Sequence, residues 1–294
     1  MSIPLAYLGI VLIWSTTPLA IQWSSQGIGF AFAVLARMSI GVVVASMLLL
    51  AWRIRLPMHA RARRAYLVGG VGVFGAMVLT YWGAAYIHSG LVSVLFGLSP
   101  LMAGALAALC LGERGIGRRQ VLGMLLGCAG LAVIFVQGDS LAGEHALAGL
   151  GAVLAAVLIY SASLVWLKRI DDDSPPLAST VGSLLVSLPL FALVWWFVDG
   201  GLPDAVPWRS AVAVAYLGVF GSVIGFALYY YVIKHLDSGR VALITLITPV
   251  LALLLGHLLN GEEVAPRIWL GSATILSGLV VHQWQTLIRD IGRR

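Results

Sequence analysis

The sequence predicts an all-α integral membrane protein in which ten transmembrane helices form two inverted five-helix repeats. Three observations lead to this prediction. Sixty per cent of the 294 residues are hydrophobic and only ten per cent are charged, which is too apolar for a soluble chain of this length. The apolar residues fall into ten stretches of membrane-spanning length, and a pattern in the first half of the chain returns in the second half.

Each apolar stretch has about 20 residues, the length of helix that crosses a hydrocarbon core roughly 30 Å thick. The first stretch lacks the basic segment and cleavage site of a signal peptide, so we expect it to remain as a helix. The connections are too short to hold a soluble domain. The predicted spans are residues 3–22, 30–52, 65–86, 89–111, 118–136, 146–167, 177–198, 209–233, 239–259 and 267–287.

The internal repeat covers most of the chain and divides it into segments 1–137 and 146–288. Because each segment has an odd number of spans, the second enters the membrane from the opposite face, and the repeats are inverted. Membrane proteins built in this way are commonly transporters with a site between the halves. The residues Tyr81, Ser89-Gly90, Pro100 and Gly112-Glu113 return 149 positions later as Tyr230, Ser238-Gly239, Pro249 and Gly261-Glu262.

The basic residues predict the orientation of the spans. Of the 18 Lys and Arg residues, all but three lie in alternate loops and the C-terminal tail; Arg209 and Arg267 lie on the other side, and Arg37 lies within the second span. Basic loops remain in the cytoplasm, so both termini are predicted to be cytoplasmic. This placement requires an even number of spans, and ten satisfies it.

The arginine-rich segment 53–64 is best explained as part of this orientation signal, which can also contact anionic lipid. It resembles a basic nucleic-acid patch, but no recognition fold surrounds it, so we expect no nucleic-acid partner. We expect Cys110 and Cys128 to be small core residues, because neither a disulfide framework nor a metal cluster is indicated. No cofactor is predicted.

Two prolines mark the predicted gates. Pro100 and Pro249 are expected to break their helices at equivalent depths, because proline removes a backbone hydrogen bond and frees a carbonyl one turn earlier. Ser99 and Thr248 precede them and can help to satisfy the disturbed backbone. The freed carbonyls are candidate substrate ligands, and a kink needed only for packing is the alternative.

Three charged residues of the spans or their ends require an explanation. Glu113 and Glu262 follow helix C-termini, where a carboxylate is unfavourable, so we expect each to have a local partner and to cap a helix or close a gate. Arg37 is the one formal charge well inside a span, which by default suggests function. Because it lies near the outer end, we favour a structural role in which it snorkels to the interface or pairs with a helix end.

The chain resembles the EamA-type drug/metabolite transporter superfamily. The resemblance covers the whole chain and is specific for the superfamily, not for a substrate. It implies a ten-helix fold similar to YddG-type amino-acid exporters, with helices 1, 3, 4, 6, 8 and 9 around a cavity and helices 5 and 10 behind. It rests on Ser-Gly…Pro…Leu-Gly-Glu-Arg and Arg-Arg-Gln-Val-Leu-Gly…Gly at 89–130, a looser copy at 238–278, Trp14-Ser15-Thr16-Thr17-Pro18, Arg37 and Tyr81-Trp82-x-Ala-Ala-Tyr86.

Polar and aromatic side chains along these cavity helices form the candidate substrate site. Aromatic rings supply an apolar wall with a polar handle and can attract an ammonium group. For each residue alone, a helix–helix contact or the interfacial aromatic belt is the competing interpretation. The candidates are Trp14, Ser15, Tyr81, Trp82, Ser99, Tyr160, Ser163, Trp166, Tyr230, Thr245 and Thr248.

The sequence therefore predicts a secondary-active or facilitative transporter, not an enzyme, in the inner (plasma) membrane of a bacterium. Its partners would be the lipid bilayer and a small-molecule substrate, with amino-acid export by alternating access as the leading hypothesis. A multidrug exporter of lipophilic cations is the main alternative; it is disfavoured because helix 1 lacks the membrane-embedded carboxylate of small multidrug exporters. An intramembrane enzyme would need a nucleophile–base pair or metal ligands within the spans, and the sequence offers no convincing set. A monomer and a homodimer both remain open.

Overall fold

The computed structural model describes residues 2–111, 117–135, 145–236 and 238–291. Within these ranges every regular element is helical, which confirms the all-α prediction. The first half of the chain contains α1 (Ile3–Ser25), α2 (Phe30–Ala51), α3 (Ala60–Ala84), α4 (Ser89–Phe96), α5 (Ser99–Leu111) and α6 (Arg118–Phe135). The second half contains α7 (Ala146–Ile170), α8 (Pro176–Val198), α9 (Trp208–Tyr216), a π-helical segment (Leu217–Ile224), α10 (Gly225–His235), α11 (Ser238–Asn260) and α12 (Pro266–Ile291).

The helices have the length and composition of membrane spans. Among the described residues, eight helices are long and apolar enough to cross a membrane, and Val121–Ile134 is a shorter apolar helix. The last predicted stretch, 267–287, lies within α12. The count of ten crossings and the cytoplasmic placement of the termini stay predictions.

The helices of the two halves pack against each other in a reciprocal pattern. Helix α1 packs on α10 and α11, while α7 packs on α3, α4 and α5, which occupy the equivalent places in the other half. Helix α4 packs on α11, and α6 packs on α12. The main buried cluster of apolar side chains lies between the halves and includes Leu91, Leu150 and Leu253. The two halves of the chain therefore share one apolar core among the described residues.

Glycines bring α6 and α12 into close antiparallel contact. A Cβ on Gly123 would lie 2.6 Å from the Gly278 carbonyl oxygen, and one on Gly130 would lie 2.6 Å from the Gly271 carbonyl oxygen. The two helices therefore run antiparallel where they cross. Gly123 corresponds to Gly271 in the repeat, and Gly130 to Gly278, so the contact is reciprocal. Small residues permit this approach of two backbones in a membrane. The inversion of the repeats stays a prediction.

Gly123→Ala is expected to destabilise the protein. The added methyl group would overlap the backbone of α12, and overpacking of this kind costs about 1–3 kcal/mol. The matched control is Gly151→Ala, because nothing lies within 4 Å of a Cβ at Gly151; we expect it to be neutral or slightly stabilising. Size-exclusion chromatography after heating measures the melting temperature of each variant in detergent. An equal loss in both variants would contradict the close crossing.

Two spans contain irregular segments, and only one lies where the sequence predicts it. The fourth span divides into α4 and α5 just before Pro100, and the Ser99 hydroxyl donates to the Phe96 carbonyl oxygen at 2.6 Å. The prediction of a second break at Pro249 is wrong, because α11 continues through this residue. A proline removes one backbone hydrogen bond, which a long packed helix tolerates. The irregularity of the second half is instead the π-helical segment of the eighth span, and such segments often mark functional sites.

The two cysteines do not lie in the core. Cys110 and Cys128 are both exposed on the surface of their helices, so the prediction that they are core residues is wrong. Lipid tails are as apolar as a packed leucine. Hydropathy alone therefore does not separate a residue that faces lipid from one that faces another helix.

Candidate functional site

A buried polar cluster lies where α2, α3 and the π-helical segment meet. Arg37 of α2 is only 5% exposed, and its Nε donates to Ser222 Oγ at 3.1 Å. Its Nη1 lies 3.4 Å from the Tyr81 hydroxyl oxygen, and its guanidinium carbon lies 5.9 Å from the centre of the Tyr81 ring. Arg37 and Tyr81 belong to the first half of the chain and Ser222 to the second. These three residues, the Arg37 cluster, therefore join the two halves.

The Arg37 cluster carries a positive charge that no carboxylate of the described residues neutralises. The hydrogen-bond partners of Arg37 are two neutral hydroxyl groups, whereas a guanidinium has five N–H donors. Ser222 is satisfied without the arginine, because its hydroxyl also donates to the Leu217 carbonyl oxygen at 3.1 Å. A buried charge without a counterion is costly. The cluster is thus chemically suited to receive an anionic group.

The orientation of Arg37 corrects part of the sequence interpretation. We expected the side chain to snorkel to the membrane interface or to pair with a helix end. Instead it points into the protein, towards the π-helical segment. The reason is that Ser222 and Tyr81 offer buried polar partners from two other helices, which the local hydropathy around Arg37 does not reveal.

A second polar network surrounds Glu262 and joins the ends of α1, α4 and α11. The Glu262 side chain is 9% exposed; one carboxylate oxygen accepts from the Ser89 backbone N–H at 3.0 Å. The other accepts from Asn260 Nδ2 at 3.0 Å. Asn260 also donates to Gln22 Oε1 at 3.2 Å and accepts from Trp23 Nε1 at 2.9 Å. These five residues form the Glu262 network.

The Glu262 network also reaches the end of α3. Gln22 Nε2 donates to the carbonyl oxygens of Ala84 at 3.0 Å and Ile87 at 2.7 Å, and the Arg209 guanidinium lies 4.0 Å from the centre of the Trp23 ring. The Glu262 carboxylate sits at the N-terminus of α4, where unpaired N–H groups and the helix dipole favour negative charge. The partner that we expect for Glu262 is therefore the start of α4, a helix of the other half of the chain. The equivalent residue Glu113 lies outside the described residues.

Some predicted substrate residues lie on α1 and α10, which pack on elements of the Arg37 cluster, and others lie on α11, which packs mainly on α1, α4 and α12. Trp14 of α1 packs against the ring of Tyr229, with centroids 4.9 Å apart, and its Nε1 lies 3.3 Å from a Cβ built on Gly225, one turn after Ser222. Ser15 is fully buried, and no described residue hydrogen-bonds to its hydroxyl. On α11, Thr248 is buried and Thr245 is half-buried. The side chain of Tyr230 lies outside the described residues.

Other predicted residues make contacts elsewhere. The Ser163 hydroxyl donates to the Val68 carbonyl oxygen at 3.2 Å, which is a contact between α7 and α3. Trp166 is 52% exposed, beyond Ser163 on α7. The structure therefore brings neither residue to the Arg37 cluster. Tyr160 packs beside Phe96 at the end of α4, with ring centroids 6.2 Å apart.

The remaining candidates are placed by local contacts. Trp82 packs edge-on against Tyr86, with ring centroids 4.9 Å apart. The Ser99 carbonyl at the break between α4 and α5 is not free, because it accepts from the Ser161 hydroxyl at 3.2 Å. Pro100 follows this break, and a Cβ on Gly97 would lie 3.8 Å from Pro249 Cγ. The irregular part of the fourth span thus packs against the proline of α11.

Sequence reasoning missed several residues of these networks, among them Asn260. Ser222 lies between Gly221 and Gly225, a spacing that by itself indicates only close helix packing. Gln22 gave no signal beyond its polarity near the end of a span. Trp23 lies near the end of a span, where tryptophan is typical of the interfacial belt, whereas in the structure its ring nitrogen donates to Asn260. A search for polar residues just inside span ends would have selected Gln22, but not its partners.

The fold and the polar cluster between its halves define a multi-pass membrane protein of the transporter class. The chain belongs to the EamA-like transporter family, which matches residues 1–136 and 147–282. This confirms the superfamily that the sequence motifs indicated.

Relatives agree with this class, and a solved structure shows the same fold. A probable terminal-alkyne amino-acid exporter of Streptantibioticus cattleyicolor is 27% identical over 286 residues, 95% of this chain and 92% of that protein. A probable amino-acid metabolite efflux pump of Escherichia coli (strain K12) is 25% identical over 216 residues, 68% of this chain and 71% of that protein. A crystal structure with 24% identity matches with a TM-score of 0.66 and covers 97% of this chain and 99% of its own, which shows the same fold. Together the relatives support a membrane exporter of small metabolites rather than an enzyme.

Proposed function

We propose that this protein exports amino acids across the inner membrane of a bacterium by alternating access. The observation that carries the proposal is the Arg37 cluster, in which a buried guanidinium between the two halves has no carboxylate partner among the described residues. Every amino acid has a carboxylate at neutral pH, and a guanidinium binds this group through two parallel hydrogen bonds. The names of the relatives as amino-acid exporters support the same substrate class.

The aromatic part of the proposed site comes from α1 and α10, which pack beside the cluster. The hydroxyl of Tyr81 orients the guanidinium, and the rings of Trp14 and Tyr229 form an aromatic surface that can attract an α-ammonium group. The buried hydroxyl of Ser15 is a further proposed hydrogen-bonding group. Five other predicted residues stay proposed substrate contacts elsewhere in the cavity between the halves: Trp82, Tyr160, Tyr230, Thr245 and Thr248.

In this proposal the Glu262 network is the closed gate of the alternating-access cycle. Its hydrogen bonds hold α1, α3, α4 and α11 together at one face, the predicted outer face. Release of substrate there requires these bonds to break, and the break before Pro100 is the proposed hinge of α4. The inverted repeat makes Glu113 the proposed counterpart at the opposite face.

Counterflow in proteoliposomes tests the function. Vesicles that contain the purified protein and unlabelled leucine, phenylalanine or threonine are expected to accumulate the labelled form of the same amino acid. Vesicles without protein are the control, and tetraphenylphosphonium is tested in parallel. Exchange of tetraphenylphosphonium alone would replace the amino-acid proposal with multidrug export. Chemical turnover of a substrate without exchange would favour an enzyme.

Tyr81→Phe is expected to slow amino-acid counterflow about fivefold. The variant keeps the ring but removes the hydroxyl that lies 3.4 Å from Arg37 Nη1, and one hydrogen bond of this kind contributes about 1 kcal/mol. Tyr66→Phe is the matched control, because its hydroxyl donates to the Pro57 carbonyl oxygen at 2.8 Å, away from the cluster. Initial rates that are equal in the two variants would remove Tyr81 from the site.

A further inference from the structure

A cavity of about 570 Å³ opens between the first turns of α3 and the last turns of α7. We call it the α3–α7 wedge. Its polar wall consists of Arg61, Arg64, Arg169 and Asp171, and its apolar wall consists of Leu67, Val68, Trp166 and Ile170.

The wedge begins where the close contact between α3 and α7 ends. Deeper in the bundle, Ser163 packs directly against Gly72, and its hydroxyl donates to the Val68 carbonyl oxygen at 3.2 Å. Towards the predicted cytoplasmic end, small residues give way to large ones such as Arg64 and Trp166. The two helices cannot close over these side chains, so the cavity is a consequence of the sequence at this end.

The wedge has an excess of positive charge. Three arginines and one aspartate give it a formal net charge of +2, and none of the three arginines forms an ion pair within the described part of the chain. The Arg169 guanidinium carbon lies 5.9 Å from the centre of the Trp166 ring, an arrangement that leaves its N–H edges free to point elsewhere. Arginine forks bind phosphate oxygens with good geometry. The charge therefore favours a ligand that carries a phosphate group.

The apolar wall indicates where this phosphate comes from. Leu67 is 55% exposed and Trp166 is 52% exposed, and both lie at the end of membrane-spanning helices beside the arginines. Tryptophan in this position lies at the level of lipid headgroups, and basic pockets between helices on the cytoplasmic side bind anionic headgroups. A phosphate dissolved in water would gain nothing from such a wall, whereas an acyl chain would cover it.

We propose that the α3–α7 wedge binds an anionic phospholipid. The headgroup phosphate contacts Arg61, Arg64 and Arg169, and the acyl chains run along Leu67 and Trp166 towards the bilayer centre. The site lies on the α3–α7 contact and away from the Arg37 cluster. It does not depend on the identity of the transported substrate.

Thermal unfolding of the full-length protein in detergent tests the proposal. Added phosphatidylglycerol is expected to raise the melting temperature, whereas phosphatidylcholine and inorganic phosphate at equal concentration are not. The double variant Arg64→Gln/Arg169→Gln is expected to need roughly 30-fold more phosphatidylglycerol for the same effect, because each of the two arginines near an anionic surface contributes about 1 kcal/mol. The matched control is Arg118→Gln/Arg119→Gln, which removes two exposed arginines at the start of α6 that do not line the wedge.

Two results would overturn the proposal. One is an equal response to phosphatidylglycerol in the wedge variant and the wild type. The other is stabilisation by inorganic phosphate as strong as that by the lipid, which would make the wedge a site for a soluble anion.

A second measurement does not depend on variant stability at high temperature. Brominated phosphatidylglycerol is expected to quench the tryptophan fluorescence of the wild type more than that of Trp166→Phe. With brominated phosphatidylcholine, this difference between the two proteins is expected to be smaller. Equal differences in quenching with the two lipids would also contradict the proposal.

Discussion

Arg37→Met is expected to abolish amino-acid counterflow and to leave the protein folded. Methionine keeps an apolar stem of similar length and removes the buried charge. No described carboxylate depends on Arg37, and Ser222 retains its bond to the Leu217 carbonyl oxygen. Within the cluster, the variant therefore removes the partner of the Tyr81 hydroxyl alone. A buried charge without a counterion carries a desolvation cost, and the substitution removes that cost.

The expected loss of transport is large. Loss of one partner of a buried, hydrogen-bonded charge pair costs about 2–5 kcal/mol, which corresponds to a fall in counterflow of roughly 30-fold or more. Arg37→Lys is expected to be intermediate, since it keeps the charge but loses the planar fork that binds both carboxylate oxygens. Initial rates of labelled phenylalanine exchange measure the effect, and the melting temperature measures folding in the same samples.

A substrate analogue separates substrate binding from a structural role of Arg37. Phenylethylamine has the ring and ammonium group of phenylalanine but no carboxylate, so the wild type is expected to exchange it poorly. Its exchange in Arg37→Met is expected to be no lower than in the wild type. Ser222→Ala is the matched control, because it removes a partner of the guanidinium and keeps the charge; we expect a loss of only a few-fold. A stable Arg37→Met protein with normal phenylalanine exchange would refute carboxylate binding by Arg37.

Glu262→Gln is expected to loosen the face of the protein that the Glu262 network closes. The carboxylate accepts from two donors, the Ser89 N–H and Asn260 Nδ2. The amide has only one oxygen acceptor, so one donor meets an NH₂ group instead. It also removes the negative charge from the N-terminus of α4. Hydrogen bonds to a charged group contribute about 1.5–3 kcal/mol, so the amides of residues 88–92 should exchange with deuterium about tenfold faster or more.

The neighbouring residue provides the control for this prediction. Glu263 is exposed, whereas Glu262 is buried, so Glu263→Gln changes the same charge without entering the network. Exchange at the start of α4 and around Gln22 should rise in Glu262→Gln and stay at the wild-type level in Glu263→Gln. Unchanged exchange in both variants would show that the network does not hold this face closed.

Much of the fold could be predicted because the relevant signals are local. A run of about 20 apolar residues has few alternatives to a membrane-spanning helix, and the helical segments of the structure coincide with the predicted stretches. The break before Pro100 was predicted from one residue. The break at Pro249 was not realised, because the effect of a proline depends on how firmly the rest of the helix is packed. No local signal predicted the π-helical segment Leu217–Ile224.

The candidate site was predictable only in part, for a reason that Trp166 and Tyr81 illustrate. Both are aromatic residues in apolar spans, yet Tyr81 is fully buried beside Arg37 and Trp166 is half exposed beside Arg169. The difference is the rotation of each helix about its axis. Since lipid and protein interior are both apolar, the hydrophobic pattern of a span says little about this rotation. Aromatic and polar residues could therefore be selected by type, but not sorted by direction.

Hydropathy, loop charge and an internal repeat can be read directly along the chain, and they are enough to identify an all-helical membrane protein of a transporter family. Which side chains meet depends on the tertiary fold. Arg37 reaches a partner 185 positions away, and Glu262 one 173 positions away. Such contacts depend on how the helices of the two halves pack and turn against each other, and no short segment of the chain contains that information.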